Sequence, residues 1–113
     1  MAVLSGFGSF ADVDEDVVSD TISRRVISGE RGMIVWWHMK PDAHLPAERL
    51  TQERIIWVLR GVIEFRLDDQ REMCVPGDVI VVPPGTEHEA WFAGEAEIVD
   101  VLSPPRGDYL TGA

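Results

Sequence analysis

The stretch PGDVIVVPPGTEH, residues Pro76 to His88, decides how this chain is interpreted. It contains a turn at Gly77, an apolar run of mostly β-branched residues, a rigid loop and then a histidine. Glycine permits the turn into the strand, and Pro83 and Pro84 stiffen the exit from it. The pattern predicts one strand between two tight turns, with His88 at the start of the next strand.

Short runs rich in Val, Ile, Trp and Phe lie on both sides of this stretch, and such runs are typical of strands. Together they are TISRRVIS, MIVWWHMK, RIIWVLR, VIEFRL, DVIVVP, EAWFA and AEIVDVL, and turn segments such as KPDAHLP and LDDQ separate them. The sequence contains no convincing long amphipathic helix and no internal repeat. Many short strands with Gly/Pro turns predict an all-β sandwich or small barrel.

The length of 113 residues predicts a single domain. We expect an acidic lead-in or arm over residues 1–21, a β-rich barrel over residues 22–103 and an irregular tail over residues 104–113. The lead-in includes ADVDEDVVSD, which carries no helical apolar stripe.

The net charge of −10 argues against nucleic acid and anionic membranes as partners, because both would repel such a surface. A single cysteine, Cys74, excludes an internal disulfide and fits a reducing compartment. The start of the chain does not resemble a signal peptide, and no apolar run approaches the length of a membrane span. We therefore expect a soluble, cytoplasmic protein.

The spacing G-x5-P-x-G-x2-H, formed by Gly77, Pro83, Gly85 and His88, resembles the second motif of the cupin superfamily. WVLRG, Trp57 to Gly61, resembles the end of the first cupin motif. This resemblance implies an all-β cupin fold, the double-stranded β-helix or jelly-roll barrel, with His88 pointing into the barrel.

The whole pattern is similar to small single-domain cupins related to the KdgF-type uronate isomerases, over roughly residues 22–110. The matching segments are KPDAHLPAERLTQERIIWVLRG and DVLSPPRGDYL. In those relatives two histidines, a Gln or Glu and the second-motif histidine hold a divalent metal. Aligned back from Gly61, these positions hold Glu48, Leu50, Arg54 and His88.

The usual metal site is compromised at these positions, because leucine has no lone pair to donate and arginine carries a fixed positive charge. A rearranged site would need other ligands for zinc, iron or manganese, and the candidates are His88, His44, Glu48 and Glu53. His44 and Glu48 are expected in the loop before the motif strand, so this loop would have to move and Arg54 swing away. The sequence is therefore consistent both with a divalent-metal cofactor and with no cofactor.

A metal-free barrel mouth would combine His88, Arg54 and either Glu48 or Glu53 as catalytic groups. Arg54 would bind a substrate carboxylate or stabilise an enolate, while His88 and a glutamate would move protons. The residues expected to line the substrate site are Arg54, Trp36, His38, Trp57 and Phe92. This set predicts isomerisation, cyclisation, dehydration or lyase chemistry on a carbonyl- or carboxylate-bearing small molecule, such as a sugar acid or a polyketide-like intermediate.

Two other functions remain open at this point. The chain would otherwise be a non-catalytic module that binds a small ligand, or a metal-dependent dioxygenase with a rearranged site. Without chemistry at the site, His88 would be a retained fold signature, and Arg54 would pair with Glu48 or Glu53 in an ion pair. We also expect a homodimer, formed by packing sheets or by burying the apolar segment VLSGFGSF on a second copy.

Overall fold

The strand-forming runs build two antiparallel sheets in the computed structural model, which describes residues 3–110. The strands are β1 (Asp16–Val17), β2 (Ile22–Ser28), β3 (Met33–Met39), β4 (Ala43–Glu48), β5 (Glu53–Arg60), β6 (Ile63–Leu67), β7 (Gln70–Cys74), β8 (Val79–Val82), β9 (His88–Phe92) and β10 (Ala96–Ser103). One sheet has the order β1-β2-β3-β10-β5-β8, and the other has the order β4-β9-β6-β7. We call them the six-stranded and the four-stranded sheet.

Alternation along the strands decides which side chains face the core between the sheets. In β3 the side chains of Met33, Val35, Trp37 and Met39 are buried, whereas the residues between them are half-buried on the outer face. Strand β5 alternates in the same way, with Arg54, Ile56 and Val58 pointing inward. The alternation thus places an arginine among the apolar core residues.

Strands β4 and β7 were not predicted, because their segments read as turns or as polar sequence. Both are edge strands of the four-stranded sheet, and edge strands carry polar residues that hydrophobic pattern does not detect. Four of the five residues of β7 are exposed. The expectation that His44 and Glu48 belong to a loop was wrong, since both lie in β4.

The lead-in contains a short 3₁₀ turn over Phe10–Asp12, followed by β1, which pairs with β2. The tail was expected to be irregular, but it forms one helical turn, α1 (Gly107–Leu110), because Tyr109 is buried against the barrel. Residues 1–2 of the predicted lead-in and 111–113 of the predicted tail lie outside the described residues.

Within residues 3–110, no helix has the length and apolar character that a membrane crossing requires.

Candidate functional site

A polar cluster lies between the two sheets, where an apolar core would otherwise continue. Its fully buried members are Arg54 on β5, His88 at the start of β9 and Asp100 on β10, with exposed fractions of 3%, 2% and 0%; Glu48 and Arg106 complete it towards solvent. Charged groups are seldom buried this completely unless other groups pair with them. The cluster is therefore defined by how these side chains satisfy one another.

Asp100 is the main partner of Arg54. The Nε of Arg54 lies 3.0 and 2.8 Å from the two carboxylate oxygens of Asp100, and its Nη2 lies 2.7 Å from Oδ2. The indole nitrogen of Trp37 also donates to Asp100, over 3.3 Å. Burial lowers the pKa of Arg54, but Asp100, together with Tyr109 and Glu48, outweighs burial and raises it above its ordinary value. Arg54 is thus a permanent cation inside the barrel.

Arg54 also fixes the state of His88. Its Nη1 lies 3.0 Å from Nε2 of His88, and Nδ1 of the same ring lies 3.0 Å from the carbonyl oxygen of Thr86. A guanidinium can only donate and a carbonyl can only accept, so the imidazole carries its proton on Nδ1 and presents a lone pair to Arg54. Burial and, to a smaller extent, the charge of Arg54 lower the pKa of His88 below its usual value. His88 is therefore neutral, and the lone pair of its Nε2 already accepts a hydrogen bond from Arg54.

Glu48 is the acidic member of the cluster that reaches solvent, with 37% of its side chain exposed. A bulge in β4 between Leu45 and Glu48 places Glu48, rather than Ala47, opposite His88. Bulges commonly redirect a side chain in this way. The carboxylate of Glu48 lies 3.3 Å from Nη1 of Arg54 and 4.0 Å from Nε2 of His88.

The tail covers Glu48 from outside the barrel. Nη1 of Arg106 lies 3.5 Å from Oε2 of Glu48 and donates to the hydroxyl oxygen of Tyr109 over 3.0 Å. The ring of Tyr109 lies below the guanidinium of Arg106, 4.3 Å from centroid to Cζ. Glu48 thus bridges an internal and an external guanidinium at distances that are long for charge-assisted hydrogen bonds.

Glu53 and His44, two expected neighbours of His88, lie on the outside of the barrel. Glu53 occupies an outward position at the start of β5, because its neighbour Arg54 points inward. His44 stacks on Trp91 and lies 2.6 Å from Glu89 on the outer face of the four-stranded sheet. The structure brings neither of them to His88, and the reason is strand alternation.

The expected substrate-lining aromatic residues are also not gathered around the cluster. Trp36, His38 and Trp57 lie on the outer face of the six-stranded sheet, and Trp57 is 50% exposed. Trp36 and His38 line a hollow of about 300 Å³ there, together with Arg25. Phe92 faces inward but is packed in the core at 1% exposure. Of the predicted site residues, the structure joins only Arg54, His88 and Glu48.

The donor set does not fit the divalent metal that related cupins hold. Leu50 packs against the apolar core, and Nη1 of Arg54 occupies the lone pair that His88 would offer to a metal. Among residues 3–110, no three His, Cys, Asp or Glu side chains are grouped so that they would hold a metal ion. The rearranged set of His88, His44, Glu48 and Glu53 is not assembled.

Two members of the cluster were missed from the sequence. Asp100 could have been found, because Ala96, Ile98 and Leu102 share its face of β10 and are all buried. An acid on the buried face of a strand needs a cationic partner, and Arg54 occupies the same kind of position on β5. Arg106 lies in the segment DVLSPPRGDYL that resembles related cupins, but that match assigned it no role, since its position depends on how the tail folds back over the barrel.

The fold and the cluster define a β-barrel of the cupin class, with Arg54 at a position where the resemblance implied a metal ligand. The profile of the Cupin domain family matches residues 35–102 of the sequence, and the chain belongs to this family. This confirms the fold class and the cupin resemblance predicted from the two motifs. A comparison with curated protein sequences finds no match.

Several solved structures share the whole fold. An RmlC-like cupin from Shewanella frigidimarina superposes with a TM-score of 0.90 at 19% identity, covering 96% of this chain and 99% of that one. KdgF from Halomonas sp. gives 0.84 at 26% identity, covering 91% and 99%. The polyketide cyclase RemF from Streptomyces resistomycificus gives 0.76 at 20% identity, covering 92% and 82%.

Proposed function

We propose that this chain is a cupin enzyme that moves a proton next to a carbonyl group in a small carboxylic acid, with Arg54 serving in place of a metal cation. The observation that supports it is the position of Glu48, which is the carboxylate joined to the buried cation and also open to solvent. The similarity to KdgF and to a polyketide cyclase agrees with this class of chemistry.

Binding would begin with an exchange of carboxylates. Glu48 contacts Arg54 and Arg106 over 3.3 and 3.5 Å, so an incoming substrate carboxylate competes with weak bonds rather than strong ones. Arg54 keeps its short bonds to Asp100 during this exchange, because they use Nε and Nη2, whereas Glu48 is held by Nη1. The substrate anion would take the place of Glu48 between the two guanidinium groups.

Glu48 would then act as the base. It accepts a proton from the carbon beside the carbonyl, and the negative charge that develops on the enolate oxygen is stabilised by Arg54. The same glutamic acid returns the proton to a different atom of the substrate, which completes an isomerisation. His88 is a positioning residue in this scheme, since its neutral ring holds Nη1 of Arg54 and has no proton at Nε2.

Solvent exchange tests this proposal most simply. Pyruvate, 2-oxoglutarate and D-galacturonate are incubated with the protein in D₂O, and ¹H NMR follows loss of the proton beside the carbonyl. We expect catalysed exchange with at least one acid, reduced by about 100-fold or more in Glu48→Gln. Glu53→Gln is the matched control, because this glutamate lies on the outside of the barrel and should leave the rate unchanged.

A second function, ligand binding without turnover, is supported by a different observation. Arg54 already donates to Asp100, and the lone pair of His88 already accepts from Arg54. Few hydrogen-bonding groups of the cluster are therefore free to take part in a reaction. Calorimetric binding of the same acids, weakened by Arg106→Gln and without proton exchange, would favour this module over the enzyme. Exchange that persists unchanged in Glu48→Gln would contradict the enzyme as proposed.

A further inference from the structure

The hollow on the outer face of the six-stranded sheet is separate from the buried cluster and shares no residue with it. Its volume is about 300 Å³, and its lining includes Arg25, Trp36, His38, Arg60 and Glu97. We call it the outer hollow. Cavities of this size are at the lower end of those that hold small molecules, so the chemistry of the lining decides which ligand would fit.

Arg25 brings hydrogen-bond donors to the outer hollow that the protein leaves unused. Its Nε is buried and has no hydrogen-bond partner within residues 3–110. Its Nη2 lies 3.9 Å from a carboxylate oxygen of Glu15, which is longer than a hydrogen bond. A buried donor without an acceptor is unfavourable, so a ligand that supplies an acceptor beside Arg25 would satisfy a group that the protein does not.

Glu97, by contrast, already has its partners. One of its carboxylate oxygens accepts from the indole nitrogen of Trp36 over 3.2 Å, and the other accepts from Nη1 of Arg60 over 2.9 Å. A bulge between Glu97 and Ile98 brings Arg60 opposite Glu97. Arg60 is 70% exposed, and a guanidinium has five donors, so it can also contact a second carboxylate. The unused capacity of the outer hollow is therefore for an anion.

Strand register places an apolar surface beside Arg25. Trp36 lies directly opposite Arg25 on β3, and Val99 lies opposite Trp36 on β10. Phe10 packs edge-on against Trp36, with 5.6 Å between ring centroids, and this contact closes one side of the indole. A ligand whose acidic group meets Arg25 would lay the rest of its atoms against Trp36, and a flat ring suits such a surface.

We propose that the outer hollow binds a small aromatic carboxylate, with its carboxylate between Arg25 and Arg60 and its ring against Trp36. Guanidinium groups bind carboxylates through two parallel hydrogen bonds, which gives the site its preference for this group. The net charge of −10 repels anions at long range, so we expect a dissociation constant of only about 1 mM. The site does not depend on Glu48 or on the reaction proposed above.

Titration with benzoate tests the proposal, with ¹H–¹⁵N NMR of the tryptophan indole and arginine Nε groups as the readout. Benzoate should shift the signals of Trp36 and Arg25. Acetate, which lacks the ring, and benzyl alcohol, which lacks the charge, should each bind about tenfold more weakly. Arg25→Gln should weaken benzoate binding about tenfold or more, and Trp36→Leu should remove the preference for benzoate over acetate.

Arg71→Gln is the matched control, because it removes the same charge from β7 of the four-stranded sheet, where Arg71 pairs with Glu64. It should change the dissociation constant of benzoate by less than about twofold. The proposal would be overturned if about 50 mM benzoate shifted neither Trp36 nor Arg25. Equal weakening by Arg71→Gln and Arg25→Gln would also overturn it, as would loss of binding in Arg106→Gln, which would place benzoate at the buried cluster instead.

Discussion

Asp100 is the residue on which the buried cluster depends, because it neutralises Arg54 where no water reaches. Asp100→Asn leaves the guanidinium buried with a neutral partner, and we expect the free energy of unfolding to fall by about 3–5 kcal/mol. Urea denaturation measures this change. Glu53→Gln, in an exposed position, should change it by less than about 0.5 kcal/mol.

The same cluster predicts an unusual rescue. Replacing both partners with apolar residues, in Arg54→Met combined with Asp100→Leu, removes the unpaired charge together with its cost of burial. We expect the double variant to regain most of the stability that Asp100→Asn loses, as exchanges of buried ion pairs for apolar residues often do. A double variant no more stable than Asp100→Asn would show that the pair contributes more than mutual neutralisation.

His88 links stability to pH. Burial lowers its pKa in the folded protein below the ordinary value of 6.5, so the unfolded chain takes up a proton first as the solution is acidified. Stability should therefore be constant above about pH 7 and fall as the pH drops below 6.5 towards the folded pKa. His88→Gln should remove this slope between pH 7 and 5, whereas His38→Gln, on the outer face, should keep it. Urea denaturation at several pH values measures this slope for the natural protein and for both variants.

The turn at Gly61 shows what the first cupin motif requires of its glycine. Gly61 has a φ of +79°, and a Cβ there would meet the carbonyl oxygen of Glu95 and the side chain of Ala96. Gly77 has a φ of +95° but nothing within 4 Å of such a Cβ. Gly77→Ala should cost about 1–2 kcal/mol from backbone strain alone, and Gly61→Ala clearly more. Equal losses in thermal unfolding would refute the steric account.

The helical turn α1 depends on one side chain. Tyr109 is buried and lies between two guanidinium groups, with 3.9 Å from its ring centroid to Cζ of Arg24 and 4.3 Å to that of Arg106. Tyr109→Phe keeps both stacking contacts and should cost about 1 kcal/mol for the lost hydrogen bond. Tyr109→Ala should cost about 3–5 kcal/mol, because it also opens a cavity. Denaturant midpoints for the two variants separate these contributions.

Elements with strong alternation were predicted well, and polar edge elements were not. Strands β3, β5 and β10 bury every second residue, and that pattern is visible in the sequence. Strands β4 and β7 depend on pairing with a neighbour, since their own residues do not favour a strand. The bulge that carries Glu48 inward arises from register between β4 and β9, which no local pattern encodes.

Two motifs were sufficient to predict the cupin barrel, but not the arrangement of its site. Gly77, Gly85 and His88 specify turns and a strand start that many chemistries share. The structure places Arg54 and Glu48 beside His88, which is the neighbourhood that the motif positions implied for them. Asp100 and Arg106 lie in the matching segment DVLSPPRGDYL, but the match did not indicate their contacts, which join distant parts of the chain.

The guanidinium of Arg54 occupies the lone pair at Nε2 of His88 that the resemblance to metal-binding cupins assigns to a metal ion. Long-range ¹⁵N NMR of the imidazole rings measures this directly, before and after addition of one equivalent of Zn²⁺ at pH 7. We predict that His88 carries its proton on Nδ1, that its Nε2 accepts a hydrogen bond, and that zinc changes neither signal. A protonated Nε2, or a zinc-induced shift at Nε2 of His88, would contradict the account.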